Sequence, residues 1–148
     1  MIIGLGTDLL DIRRIERTLE RFGERFVQRV YTPAERAKAE RRHHVPAAYA
    51  MRYAAKEACS KALGTGLRQG VFWRDMVTDS LPSGKPVMTL SGGALEKLRS
   101  LTPPGMTAQI EVTMSDEYPM AHAVVIIYSV PSQSQSQSQS PSLPVAGG

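Results

Sequence analysis

"AMRYAAKEACSKALGTG", residues 50–66, is the stretch whose reading organises the rest of the chain. Alanine at this density favours a helix, and helical spacing sorts its side chains into two stripes. Ala47, Met51, Ala54, Ala58 and Ala62 share one face, small enough to lie close against a sheet. Tyr53, Glu57, Ser60 and Lys61 share another. The pattern predicts a helix from about Pro46 to Leu63, stopped at Gly64. Glu57 and Lys61, four residues apart, read either as an exposed ion pair worth a few tenths of a kcal/mol or as polar groups at an opening beside the sheet. The following "LGTGLRQG" has two readings as well. Gly64, Gly66 and Gly70 either cap the helix or form a loop whose N–H groups, with Lys61 and Arg68, face phosphate.

Around this helix the pattern is α+β. Residues 1–6 read as a buried strand whose Gly4 and Gly6 allow close approach of another backbone. A helix follows from Leu9 or Asp11, with Gly23 as a break or kink, and "TPAE" at 32–35 carries a capping box that opens the next. Beyond Gly70, "DMVTDSL" and "KPVMTLS" resemble a hairpin, "GALEKLRSL" a short helix, and "AQIEVTMS" with "AHAVVIIYSV" a second strand pair. Helices early and antiparallel strands late predict helices packed on a small antiparallel sheet rather than alternating βαβ units. Residues 1–130 read as one domain. "PSQSQSQSQSPSLPVAGG", 131–148, reads as a disordered tail, because it has too little apolar surface to offset its ordering entropy.

Composition narrows the functional classes. The 148 residues are 42% apolar, enough for one core. A single cysteine, Cys59, cannot form an internal disulfide, and no Cys/His spacing suggests zinc, so a reduced, cytoplasmic setting is expected. The first apolar run lacks a basic leader and is cut by Asp8 and Asp11, which argues against a signal peptide or membrane span. Net charge is +4, and residues 11–42 hold ten Arg or Lys against six Asp or Glu, so the excess is local and suits an acidic partner docking on one face. Arg14, Arg17, Arg21 and Arg25 sort to one helical face, with Glu16, Glu20 and Glu24 beside it. A nucleic-acid module would explain the charge but leaves Asp8, Glu57 and Lys61 unexplained. Aromatic residues, 6% of the chain, are too few for a base-stacking platform, so no nucleic-acid partner is expected.

Asp8, after an apolar strand and two glycines, reads either as a helix N-cap or as a Mg²⁺ ligand sharing the ion with water and phosphate oxygens. "GLGTDL" is not a dinucleotide fingerprint, since its third glycine is missing. "GTDLLDI", followed about fifty residues later by "YAAKEACSK" and "LGTG", resembles the paired signature motifs of the 4′-phosphopantetheinyl transferases, in the short bacterial holo-acyl-carrier-protein synthase branch. That resemblance covers roughly residues 1–130. It implies transfer of 4′-phosphopantetheine from coenzyme A to a serine of apo-acyl-carrier protein, leaving 3′,5′-ADP, in support of fatty acid biosynthesis. It further implies Mg²⁺ held by Asp8 and Glu57 and phosphate contact by Lys61, with help from Arg52 and Lys56. Gly64, Gly66, Gly84, Lys85 and Pro86 are then expected to seat the nucleotide. The arginine face, with Phe22 or Phe26 as an apolar anchor, resembles the family's carrier-docking surface, and homotrimers with active sites between subunits are implied. The chain departs from many members at "VTMSDEY", where Asp116 stands in place of a histidine. An ionised carboxylate donates no hydrogen bond to phosphate, so Asp116 is expected to act as general base, to act through a metal-bound water, or to point away. Other Mg²⁺-dependent coenzyme A or nucleotide enzymes are the competing class.

Overall fold

The computed structural model describes residues 1–133. In chain order it contains β1 (Ile2–Asp11), α1 (Ile12–Phe22), α2 (Glu24–Val30), α3 (Pro33–Glu40), α4 (Val45–Leu63), a 3₁₀ turn (Trp73–Asp75), β2 (Met76–Ser80), β3 (Pro86–Leu90), α5 (Gly92–Leu101), β4 (Met106–Glu117) and β5 (Met120–Pro131). The strands form an antiparallel three-stranded sheet, ordered β1-β5-β4, and a separate β2-β3 hairpin. This is the expected α+β arrangement, divided between two sheets.

Helix α4 lies across the larger sheet and is the centre of the core. Ala54, Ala55, Ala58 and Cys59 are fully buried, against Val125 and Ile127 of β5. The helix comes closest at β1, where neither Gly4 nor Gly6 has room for a side chain. A Cβ on Gly6 would stand 1.8 Å from the Ala58 carbonyl oxygen, and one on Gly4 2.0 Å from that of Ala62. Alanines on the helix and glycines on the strand together bring the two backbones into contact.

Strand β1 runs to Asp11, five residues beyond the expected end. Pairing with β5 continues through Asp8↔Ala123 to Asp11↔Met120, because a long partner satisfies its backbone groups. Asp8 therefore sits inside a strand and is no helix cap. Asp11 takes that role, its side chain accepting from the Arg13 N–H at 2.9 Å. Gly23, at φ 51°, ends α1 and starts α2 in a new direction. The capping box at Thr32–Glu35 is formed, with Pro33 in the first helical position. The expected tail begins at 131, yet Pro131 closes β5 and the Ser132 N–H bonds the Gly105 carbonyl at 2.8 Å. Residues 134–148 of that expectation lie outside the described residues. No helix among the described residues is long and apolar enough to cross a membrane.

Candidate active site

The close packing of β1 on α4 brings together the two halves of the sequence signature. Alternation along β1 points Gly4, Gly6, Asp8 and Leu10 toward the helix, while Leu5, Thr7 and Leu9 face away. Asp8 thus meets the polar stripe of α4. The Lys61 ammonium donates to Asp8 Oδ1 at 3.1 Å and to the Thr7 carbonyl at 2.9 Å. The i,i+4 pair between Glu57 and Lys61 is not what forms: the lysine reaches across to the strand.

Glu57 has no hydrogen-bond partner for its side chain among the described residues. Burial raises its carboxyl above the ordinary value, and the charge of Asp8 raises it further, against the opposing pull of Lys61 and Arg14. Burial, then the charge of Glu57, likewise lifts the Tyr53 hydroxyl. The Asp8 and Glu57 carboxylates, beside one ammonium and one guanidinium, form an all-oxygen donor pair suited to a hard divalent cation that keeps other positions for water and phosphate. No group of three or more His, Cys, Asp or Glu side chains that could hold a metal occurs among the described residues.

Several expected helpers are elsewhere. Lys56 is fully buried, turned away from Asp8 toward α3, and donates to Glu35 Oε1 at 2.8 Å and to the Trp73 carbonyl at 3.1 Å. Glu35 is itself buried, accepting also from the Thr78 N–H at 3.0 Å and hydroxyl at 2.7 Å, so this pair ties α4 to α3 and β2. Burial pulls the Lys56 ammonium below its ordinary value despite Glu35. Arg52 is buried and bonds back to the Ala48 carbonyl at 2.9 Å. Both were expected at phosphate, and both stand inside the structure with protein partners. The resemblance implies Arg52 and Lys56 at phosphate without showing which helix face is buried, and the sequence shows Glu35 only as the closing residue of a capping box.

The glycine loop resolves toward a helix cap. The Gly64 N–H bonds the Lys61 carbonyl at 3.0 Å and the Gly66 N–H the Ser60 carbonyl at 3.1 Å, so both donors are used within the cap, and Gly64 is left-handed at φ 79°. Gly84 and Lys85 belong to the β2–β3 turn and Pro86 opens β3, with Lys85 paired to Glu111 of β4 at 3.0 Å. Asp116 lies on β4, opposite Ala121 of β5 and two strands from β1. It lines a shallow hollow with Leu9, Ser115, Glu117, Met120 and His122, apart from Glu57 and Lys61 within the chain.

The arginine surface is divided by Gly23. Arg14, Arg17 and Arg21 lie on α1, whereas Arg25 belongs to α2 and lines a hollow of about 330 Å³ with Thr18, Phe22, Phe26 and Arg29. Phe22 is 46% exposed, with the Arg21 guanidinium 5.1 Å from its ring. Phe26 packs inward on Tyr31 and Tyr53. Arg14 is expected on the docking face, and its charge also acts on Glu57, which joins this face to the carboxylates.

Comparison with known proteins gives the family. A family model described as the 4′-phosphopantetheinyl transferase superfamily matches residues 4–121. Among similar curated proteins, the holo-[acyl-carrier-protein] synthase of Beijerinckia indica is 62% identical over 134 residues, covering 90% of this chain and 96% of that one. That of Rhodopseudomonas palustris CGA009 is 60% identical over 136 residues, covering 89% and 93%. Among solved structures, the Neisseria meningitidis synthase superposes with a TM-score of 0.75 at 35% identity, covering 86% of this chain and 99% of that one. The Helicobacter pylori synthase in complex with coenzyme A gives 0.72 at 29%, covering 84% and 99%. With the paired motifs brought face to face and relatives of this identity along most of its length, the chain belongs to the 4′-phosphopantetheinyl transferase superfamily.

Proposed function

We propose that this protein is a holo-acyl-carrier-protein synthase that moves 4′-phosphopantetheine from coenzyme A to a serine of apo-acyl-carrier protein, with Mg²⁺ held by Asp8 and Glu57. The observation that carries this reading is the convergence of Asp8, Glu57 and Lys61 at the β1–α4 contact. The names of the relatives and the coenzyme A complex of the Helicobacter pylori structure support it.

In the reaction a bond forms between the serine Oγ and the β-phosphorus, and the bond from that phosphorus to the bridging oxygen breaks. Its electron pair leaves with 3′,5′-ADP, and the serine proton passes to a base or to water. The divalent cation, when bound, supplies charge neutralisation and Lewis-acid polarisation of the phosphates. Asp8 and Glu57 provide its protein oxygens. Lys61, half exposed on the same face, offers a mobile ammonium for developing phosphate charge. Arg14 extends the positive field from Glu57 toward the docking face, where Arg17, Arg21, Phe22 and Arg25 present cations and one aromatic anchor to an acidic carrier.

A homotrimer with intersubunit sites accounts for two further features. Ile2, Leu5 and Leu9 are 64–69% exposed on the outward face of β1, an apolar surface that a second copy would cover. Asp116, which lines a hollow that includes neither Glu57 nor Lys61, would in such a trimer reach the site of a neighbouring copy and serve there as base.

The test is intact-mass spectrometry of apo-carrier after incubation with enzyme, coenzyme A and Mg²⁺, with and without EDTA. A gain of one phosphopantetheine that disappears with EDTA and in Glu57→Ala is expected. Full activity in Asp8→Ala or Glu57→Ala would remove the metal assignment, and no gain with any apo-carrier would remove the acceptor.

A further inference from the structure

Lys61 is bound in a way that phosphate contact does not require. Its ammonium is shared between Asp8 Oδ1 and the Thr7 carbonyl, two oxygens at 3.1 and 2.9 Å, while Glu57, one helical turn back on the same helix, has no partner among the described residues. The Asp8 side chain is only 16% exposed, and the Lys61 side chain 51%. A positive group therefore already occupies the carboxylate that the cation would use, and it is anchored from the solvent side on a flexible stem. We propose that Lys61 is a resident counter-ion of Asp8 that a divalent cation displaces, so that cation binding releases the Lys61 ammonium for the anionic ligand.

The inference rests on the cation reading above and adds an energetic connection to it. With the site free of metal, Lys61 and Asp8 neutralise one another, and neither is fully available. A cation arriving at Asp8 and Glu57 must break the Asp8–Lys61 contact, which weakens binding of the cation alone. The freed ammonium, no longer paired, then strengthens binding of phosphate. By linkage the reverse holds equally: an anion that draws Lys61 away exposes Asp8 and strengthens cation binding. The carbonyl of Thr7 serves as a pivot, a neutral acceptor that Lys61 can keep or leave without stranding a charge. Glu57 and Arg14 are the other charged groups facing the position.

A double-mutant cycle on the full chain separates this device from plain electrostatics. Calorimetry measures coenzyme A binding in EDTA, with no acceptor, for the parent, Asp8→Asn, Lys61→Met and the double variant. Lys61 lies at a half-exposed position, so its replacement should leave the fold intact, checked by circular dichroism. If Asp8 holds Lys61 away from phosphate, Asp8→Asn strengthens coenzyme A binding about three- to fivefold, the range expected for a partly exposed ion pair, and the gain vanishes when residue 61 is methionine. An equal gain in both backgrounds would mean that Asp8 merely repels the ligand, and no gain in either would mean that the pair does not form in solution; each result overturns the inference. In a second arm, Mn²⁺ binding without coenzyme A is followed by electron paramagnetic resonance. Lys61→Met should bind Mn²⁺ about three- to fivefold more tightly than the parent, and Asp8→Asn much more weakly. Normal Mn²⁺ binding by Asp8→Asn would overturn the cation reading itself, whereas loss in Asp8→Asn without any gain in Lys61→Met would leave that reading intact and remove the counter-ion role.

Discussion

Gly6→Ala is the substitution that most directly tests how the site is assembled. The added methyl carbon would lie 1.8 Å from the Ala58 carbonyl oxygen and 2.8 Å from both the Ala58 carbonyl carbon and the Ala62 nitrogen. To reach ordinary contact at 3.4 Å, strand and helix must part by about 1.6 Å along that direction. Both partners are backbone inside regular elements, so no rotamer change relieves the overlap and a rigid shift is required. Overpacking of this kind costs about 1–3 kcal/mol. The shift also draws Asp8 away from Glu57 and Lys61, and a misplacement of about 1 Å can cost on the order of 10²-fold in rate. Urea denaturation should show a lowered midpoint at unchanged slope, and the mass assay a fall in kcat on that order. The second variant is Gly6→Ala with Ala58→Gly. Because the methyl meets a carbonyl oxygen and not the Ala58 side chain, trimming residue 58 should not restore stability, and it adds about 1 kcal/mol of helix cost. A parental midpoint for Gly6→Ala, or rescue by Ala58→Gly, would refute the account of backbone contact.

Lys56→Met leaves the buried Glu35 carboxylate without its cation, a loss expected to cost about 3 kcal/mol and to lower Tm by about 10 °C. A calorimetric shift under 2 °C would show that the Thr32 and Thr78 donors suffice for Glu35. Arg21→Glu should raise the KM for carrier protein about tenfold and leave that for coenzyme A within about twofold; an unchanged carrier KM would move docking off α1. Asp11 is held at about 2 by its hydrogen-bonded pairing with Arg13, below the usual 3.8. A carboxyl whose pKa falls on folding contributes stability that is complete above the unfolded value and is lost as pH falls through the folded one. Melting curves should therefore show the advantage of the parent over Asp11→Asn persisting above pH 4 and shrinking toward pH 2, and carboxyl NMR that finds Asp11 titrating near 3.8 would contradict the pairing.

Much of the fold and the motif pair was legible in the linear chain. The alanine stripe of α4, its glycine stop, the capping box at Thr32–Glu35 and the five later elements all rest on local periodicity and end chemistry, which nearest neighbours decide. Gly4 and Gly6 announced a close backbone approach, although only the structure names Ala58 and Ala62 as what approaches. The end of β1 was misjudged because strand length depends on the partner: β5, more than a hundred residues away, supplies the pairing that carries β1 through Asp8 to Asp11. Lys56 and Arg52 are expected at phosphate by resemblance, whereas burial is a property of the packed whole, and a lysine becomes interior when Glu35 is delivered to it by another helix. For the same reason the spacing offers Lys61 only Glu57 as a paired carboxylate, one of its two readings, whereas the carboxylate that holds it comes from β1. The sequence by itself determined which side chains could do this chemistry and which segments would be helix or strand, since those follow from residue type and spacing. Only the tertiary structure decided which charges meet, because an ion pair depends on distance in space, and distance between remote segments is set by how the backbones pack.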